Sequence, residues 1–198
     1  HVSEQKKEVE DSLAYLGKRP IEWLGEKGIL NPNVHLVHAT HSTRAELEGI
    51  AKSGAQVVLC PSTEGNLGDG LFPLETYQQY GGRWSIGTDS HIGLNPFEEL
   101  RILDYGQRLS SHKRTTFLAK KEDRNSGLTA LRMTWEAGQK AAGKGNRIGF
   151  ELGEYFDAFV LRNDAPLLSS ASLSSLLPTI LYASDFSMHL GTIVGGRW

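Results

Sequence analysis

The chain has 198 residues, 39% of them hydrophobic, which is enough to bury a core, and its single cysteine, Cys60, excludes an internal disulfide. Its 21 basic and 23 acidic side chains leave a net charge of −2, so neither a nucleic acid nor an anionic membrane is expected as partner, and a small molecule is. It has no apolar run long enough to span a bilayer and no basic leader, which makes the cytoplasm the default location. It opens without methionine on a polar, helix-like run, and an upstream portion is therefore expected.

In chain order, Val9, Leu13 and Leu16 with charges between them predict an amphipathic helix over 4–17, and a second short helix is expected over 20–27. The apolar run Val34-His35-Leu36-Val37-His38 predicts a strand. Thr43 to Glu46 has the T-x-x-E form of a capping box opening a helix that Gly54 closes. A strand follows over 56–60, and 61–70 is so rich in turn formers that it is expected as a loop. Residues 73–80 predict a helix and 83–87 a strand. Asn95-Pro96 reads as an N-cap with proline at the first helical position, starting a helix that runs to about 109. Beyond it, 110–123 is polar and basic, 126–142 is a predicted helix, and 155–161 and 191–198 predict strands outside the alternating pattern.

Strands separated by helices at regular spacing imply an α/β fold with a parallel sheet. Without a dinucleotide glycine fingerprint, a barrel is favoured over an open nucleotide-binding sheet. In such a barrel the chemistry sits where strands end, and polar residues stand at three such points: His1 with Glu4, His38, and Asp89. Imidazole and carboxylate are the ligands of a catalytic zinc that keeps one position open for water. Each residue also has an ordinary reading: Glu4 as a first-turn helix acid, Asp89 as a turn former. His35 and His112 are expected to be structural or exposed, and Cys60 to be a buried thiol.

His1-Val2-Ser3-Glu4, His38-Ala39-Thr40-His41 and Gly87-Thr88-Asp89-Ser90 resemble, in that order, the ends of strands five, six and eight in the deaminase branch of the amidohydrolase superfamily. The stretch from Leu59 through Cys60-Pro61-Ser62-Thr63-Glu64 to Gly65-Asn66-Leu67-Gly68-Asp69-Gly70 is similar to the formimidoylglutamate deiminase family. So are Gly82-Arg83-Trp84, Glu98-Glu99-Leu100-Arg101, and Tyr105-Gly106-Gln107-Arg108-Leu109. The tail from Gly149-Phe150-Glu151 to Phe156-Asp157-Ala158 resembles the return of such enzymes to a small β domain. The resemblance implies the carboxy-terminal half of a metal-dependent (β/α)8 barrel over 1–143, and part of a β-sandwich domain over 144–198.

It also implies one zinc per site, with His1 and Asp89 as ligands, Glu4 as proton shuttle, and His38 as the histidine that orients the attacking water. Asn66 and Arg44 are the local candidates for gripping substrate. A strand-one His-x-His pair would complete the metal site upstream, so this segment alone is expected to be inactive, and a homodimer is expected at full length. The implied reaction converts N-formimino-L-glutamate to N-formyl-L-glutamate and ammonia in histidine degradation. The alternatives are a related deaminase acting on guanine or an adenosine derivative, and a non-catalytic β/α binding module.

Overall fold

The computed structural model describes residues 1–117, 125–145 and 149–198, so part of the polar stretch expected over 110–123 lies outside the described residues. Helix α1 (Lys6–Leu16) stops at Gly17, whose φ of 67° lets its N–H reach back to the Leu13 carbonyl. Helix α2 (Pro20–Glu26) leads to strand β1 (His35–Val37). Helix α3 (Arg44–Ser53) opens on the capping box, the Thr43 hydroxyl accepting from the Glu46 N–H and the Glu46 carboxylate accepting from the Thr43 N–H.

Strand β2 (Gln56–Leu59), helices α4 (Pro61–Leu67) and α5 (Leu74–Gln79), strand β3 (Trp84–Ile86) and helix α6 (Pro96–Ser111) complete the alternation. The loop expected over 61–70 is therefore corrected: most of it is α4. Pro61 sits in the first turn, where its missing N–H costs nothing. The Cys60 carbonyl accepts from the Glu64 N–H at 2.9 Å, and Gly68 ends the helix in the left-handed region. The turn-forming residues were helix punctuation.

β1, β2 and β3 form a parallel sheet in that order, with His35 opposite Gln56, Val37 opposite Val58, and Leu59 opposite Ile86. A parallel bridge between Val2 and His38 adds the opening residues on the outer side of β1. Four successive parallel positions with helices between them are part of a (β/α)8 barrel. The core beneath is built from Leu36, Val57, Leu59, Trp84, Leu47, Ile50 and Tyr77. Trp84 stacks on Phe117 with ring centroids 5.5 Å apart.

Helix α7 (Ser126–Ala141) packs on β3. Strands β4 (Ala158–Leu161) and β5 (His189–Ile193) form a separate antiparallel pair, shorter and shifted relative to the strands expected over 155–161 and 191–198. Between them lie α8 (Pro166–Ser169) and α9 (Leu173–Ala183), which the sequence reading did not anticipate. α9 packs on α6 and α7. Pro178 hid it: a proline inside a helix leaves the carbonyl four residues back without its donor. Here that carbonyl, on Ser174, accepts instead from the Asn125 side chain at 3.2 Å. No helix among the described residues is long and apolar enough to cross a membrane.

Candidate active site

The site forms where the parallel strands end. Val2 donates to the Val37 carbonyl at 3.2 Å and accepts from the Ala39 N–H at 3.0 Å, so the segment from His1 to Glu4 runs as a short neighbour of β1. The Glu8 carboxylate then accepts from the Ser3 and Glu4 N–H groups at 2.7 and 2.8 Å and fixes the turn into α1. On the next strand the His38 N–H is held by the Val58 carbonyl at 2.8 Å.

The backbone departs from ordinary geometry at these points. Ser3, His38, Ala39 and Asp89 have φ of 49°, 68°, 52° and 46°, left-handed conformations in residues that carry a Cβ. Each such residue costs on the order of 1–3 kcal/mol and persists only where its surroundings over-determine it. Around Asp89 the Thr63 hydroxyl does this, donating to the Thr88 carbonyl at 3.3 Å and accepting from the Ser90 N–H at 3.2 Å.

Four of the side chains singled out in the sequence converge. His1 Nε2 lies 3.0 Å from Asp89 Oδ1, and the His1 and His38 ring centroids are 5.2 Å apart. His38 Nε2 is 3.8 Å from Glu4 Oε1 and 3.8 Å from Asp89 Oδ2. Ligand-type atoms of His1, His38 and Asp89 all fall within 4.8 Å of one another. His38 is fully buried, and its Nε2 has no hydrogen-bond partner among the described residues.

These residues suit a divalent metal. Two ligand atoms each ~2.0–2.2 Å from one zinc can be no more than about 4.4 Å apart. The 3.0 Å between His1 and Asp89 meets that limit, with one nitrogen and one carboxylate oxygen as donors.

Burial is the main reason the Glu4 carboxyl is raised above its ordinary range; His38 opposes the shift, while Asp69 and Asp89 add to it. For His38 burial acts to lower the ring's pKa. The hydrogen bond to Glu64 and the charges of Glu4, Glu64 and Asp89 outweigh it, and the net direction is up. Glu4 and His38, 3.8 Å apart, thus bring together a carboxyl and an imidazole whose pKa values are both raised, groups of the kind that serve in proton transfer.

Arg44 and Asn66 are exposed on α3 and α4, and among the described residues no hydrogen bond joins either to His1, Glu4, His38 or Asp89. His35 lies within β1, its pKa lowered by burial and by Lys140, and exposed His112 caps the end of α6. The Cys60 thiol is pushed up to about 12, by burial first and then by Glu64, Asp89 and Glu99, which leaves it inert as a nucleophile.

The sequence reading gave no role to Glu64, Asp69 or Glu99. Glu64 accepts from His38 Nδ1 at 3.2 Å, and buried Glu99 accepts from the Ser62 N–H at 3.0 Å at the start of α4. The signal available was Pro61, which marks a helix start and so places Glu64 one turn beyond the β2 strand end. Beside Glu4 a cleft of about 450 Å³ opens between Lys6, His41, Asp69 and Gly70.

The model of the amidohydrolase family matches residues 1–198. Formimidoylglutamate deiminase of Pseudomonas aeruginosa is 42% identical over the whole chain, which covers 43% of that protein. An amidohydrolase from Brucella melitensis superposes on 99% of the chain and 42% of its own with a TM-score of 0.84 at 33% identity. An adenosine deaminase from Xanthomonas campestris, solved with bound zinc, also gives 0.84, at 29% identity over all of this chain and 44% of its own. The chain thus spans less than half the length of the relatives it matches.

Proposed function

The chain belongs to the amidohydrolase family, and from that premise we propose that the protein carrying it deaminates N-formimino-L-glutamate to N-formyl-L-glutamate and ammonia. The observation that carries a hydrolytic reading is the convergence of His1, Glu4, His38 and Asp89 at neighbouring strand ends. The 42% identity to a formimidoylglutamate deiminase supports this substrate over others.

His1 and Asp89 would hold a zinc ion, which when bound lowers the pKa of a water towards about 7 and so makes a nucleophile available at neutral pH. Glu4 takes a proton from the attacking water and returns it to the departing nitrogen, the role that a raised carboxyl pKa serves. His38, its Nε2 facing Glu4 and Asp89, orients the water and polarises the formimino carbon. Oxygen from water replaces the imino nitrogen on that carbon, and the nitrogen leaves as ammonia. We place this reaction in histidine degradation, in the cytoplasm, in a homodimer.

A second reading, deamination of an adenosine derivative, is favoured by the likeness to the Xanthomonas enzyme. Ammonia release by the full-length protein, assayed side by side on N-formimino-L-glutamate, adenosine, S-adenosylhomocysteine and guanine, separates the two. The proposal expects turnover of the formimino acid with N-formyl-L-glutamate as product. Deamination of a purine with the formimino acid untouched would replace it.

A further inference from the structure

We infer that Glu64 is a positioning residue for His38: it takes the ring's Nδ1–H, fixes the plane of the imidazole, and leaves Nε2 as the working nitrogen. The inference rests on the role proposed above for His38 and concerns a residue to which that reaction gives no part.

The hydrogen-bond directions follow from one oxygen. Glu64 Oε1 accepts from the Cys60 N–H at 2.9 Å, and the same oxygen lies 3.2 Å from His38 Nδ1. An oxygen already serving as acceptor to a backbone N–H pairs with Nδ1 when that nitrogen carries hydrogen. In the other tautomer two lone pairs would face each other across 3.2 Å with no proton between them. Solvent cannot relieve that clash, because His38 is fully buried and Glu64 nearly so.

With hydrogen on Nδ1, the neutral ring presents a bare lone pair at Nε2. That atom is buried without a hydrogen-bond partner among the described residues and lies 3.8 Å from both Glu4 and Asp89. It therefore faces the space between the two acids, free to accept from a water or to hold a proton there. A carboxylate behind an imidazole does the same elsewhere: it selects the tautomer, orients the ring and steadies the cation formed when the far nitrogen is protonated.

Local structure makes Glu64 a stiff support. It lies in the first turn of α4, tied through Cys60 to the end of β2, while the Ser62 N–H is held by buried Glu99 from α6. His38 needs such a brace because its own backbone sits in the left-handed region at φ 68°.

The test uses the full-length protein as wild type, Glu64→Gln and Glu64→Leu, with His38→Asn to assign the ring signal. In metal-free protein at a pH where the ring is neutral, long-range 1H–15N NMR reads which nitrogen carries hydrogen. Ammonia release by the zinc-loaded protein gives kcat and KM separately. Wild type and Glu64→Gln, whose amide oxygen can still accept, should both show Nδ1–H.

Glu64→Leu should show Nε2–H or a mixture. Its kcat should fall about 10–100-fold, as for other outer partners of site histidines, while its KM moves by no more than about threefold. Glu64→Gln should keep its kcat within about tenfold of wild type. An intact Nδ1–H signal in Glu64→Leu overturns the inference, and so does a kcat in Glu64→Gln as low as in Glu64→Leu. Should the leucine variant fail to fold, an Nε2–H ring in Glu64→Gln overturns it equally. If the formimino acid is not a substrate, the reaction proposed above fails while the NMR arm still decides the tautomer.

Discussion

At the scale of single residues, the proposed mechanism assigns holding a metal and acting on water to different side chains. Asp89 faces His1 at 3.0 Å, whereas His38 stands 3.8 Å from Asp89 with Glu64 behind it. Asp89→Ala should therefore lose metal, and His38→Ala should keep most of its metal while turnover falls about 10²–10⁴-fold. Metal analysis of the two purified full-length variants decides this, and equal metal loss in both would make His38 a ligand. Positions 1, 4, 38 and 89 could be picked from the sequence because each is polar at the end of an apolar or helix-bounded segment. Glu64 could not, since its partner lies 26 residues away and its helix is rich in turn-forming residues. Arg44 and Asn66 are candidates by charge and polarity alone, and both are exposed.

At the scale of elements, glycines mark where the chain tolerates no side chain and where it merely does without one. A Cβ on Gly82 would overlap the ring of Tyr77, whose hydroxyl donates to the Arg83 and Ala55 carbonyls at 3.2 and 3.4 Å. That contact locks the turn before β3, the strand that leads to Asp89. Gly65, inside α4, has none of the described residues within 4 Å of the same position beyond its chain neighbours and its own helix backbone. Gly82→Ala should therefore destabilise by about 1–3 kcal/mol through overpacking, and Gly65→Ala should stabilise by about 0.5–1 kcal/mol through helix propensity. Thermal denaturation of the two full-length variants should shift in opposite directions, and a shared direction would refute this packing. The alternating segments could be read from local patterns because each carries its own caps, such as Thr43 with Glu46 and Asn95. α9 could not be read that way, because the donor that replaces the one Pro178 lacks comes from Asn125.

At the scale of the molecule, the parallel order of residue 2, β1, β2 and β3 sets four strand ends in a row, and His1 with Glu4, His38 and Asp89 stand at the first, second and fourth. That order could be inferred from the alternation of strand and helix, which a parallel sheet requires. The packing of α9 on α6 and α7 could not, because it depends on contacts such as the Arg101 Nε–H donating to the Leu181 carbonyl at 3.0 Å, 80 residues away. The parallel arrangement brings Glu4 to His38 and Asp89, and the central claim is that this acid moves the protons of a hydrolytic deamination. The direct measurement is ammonia release from N-formimino-L-glutamate by the full-length protein and its Glu4→Gln variant at equal zinc loading. The wild type should turn over, and the variant should lose about 10²–10⁴-fold in rate with zinc retained. Equal rates in the two proteins would contradict it.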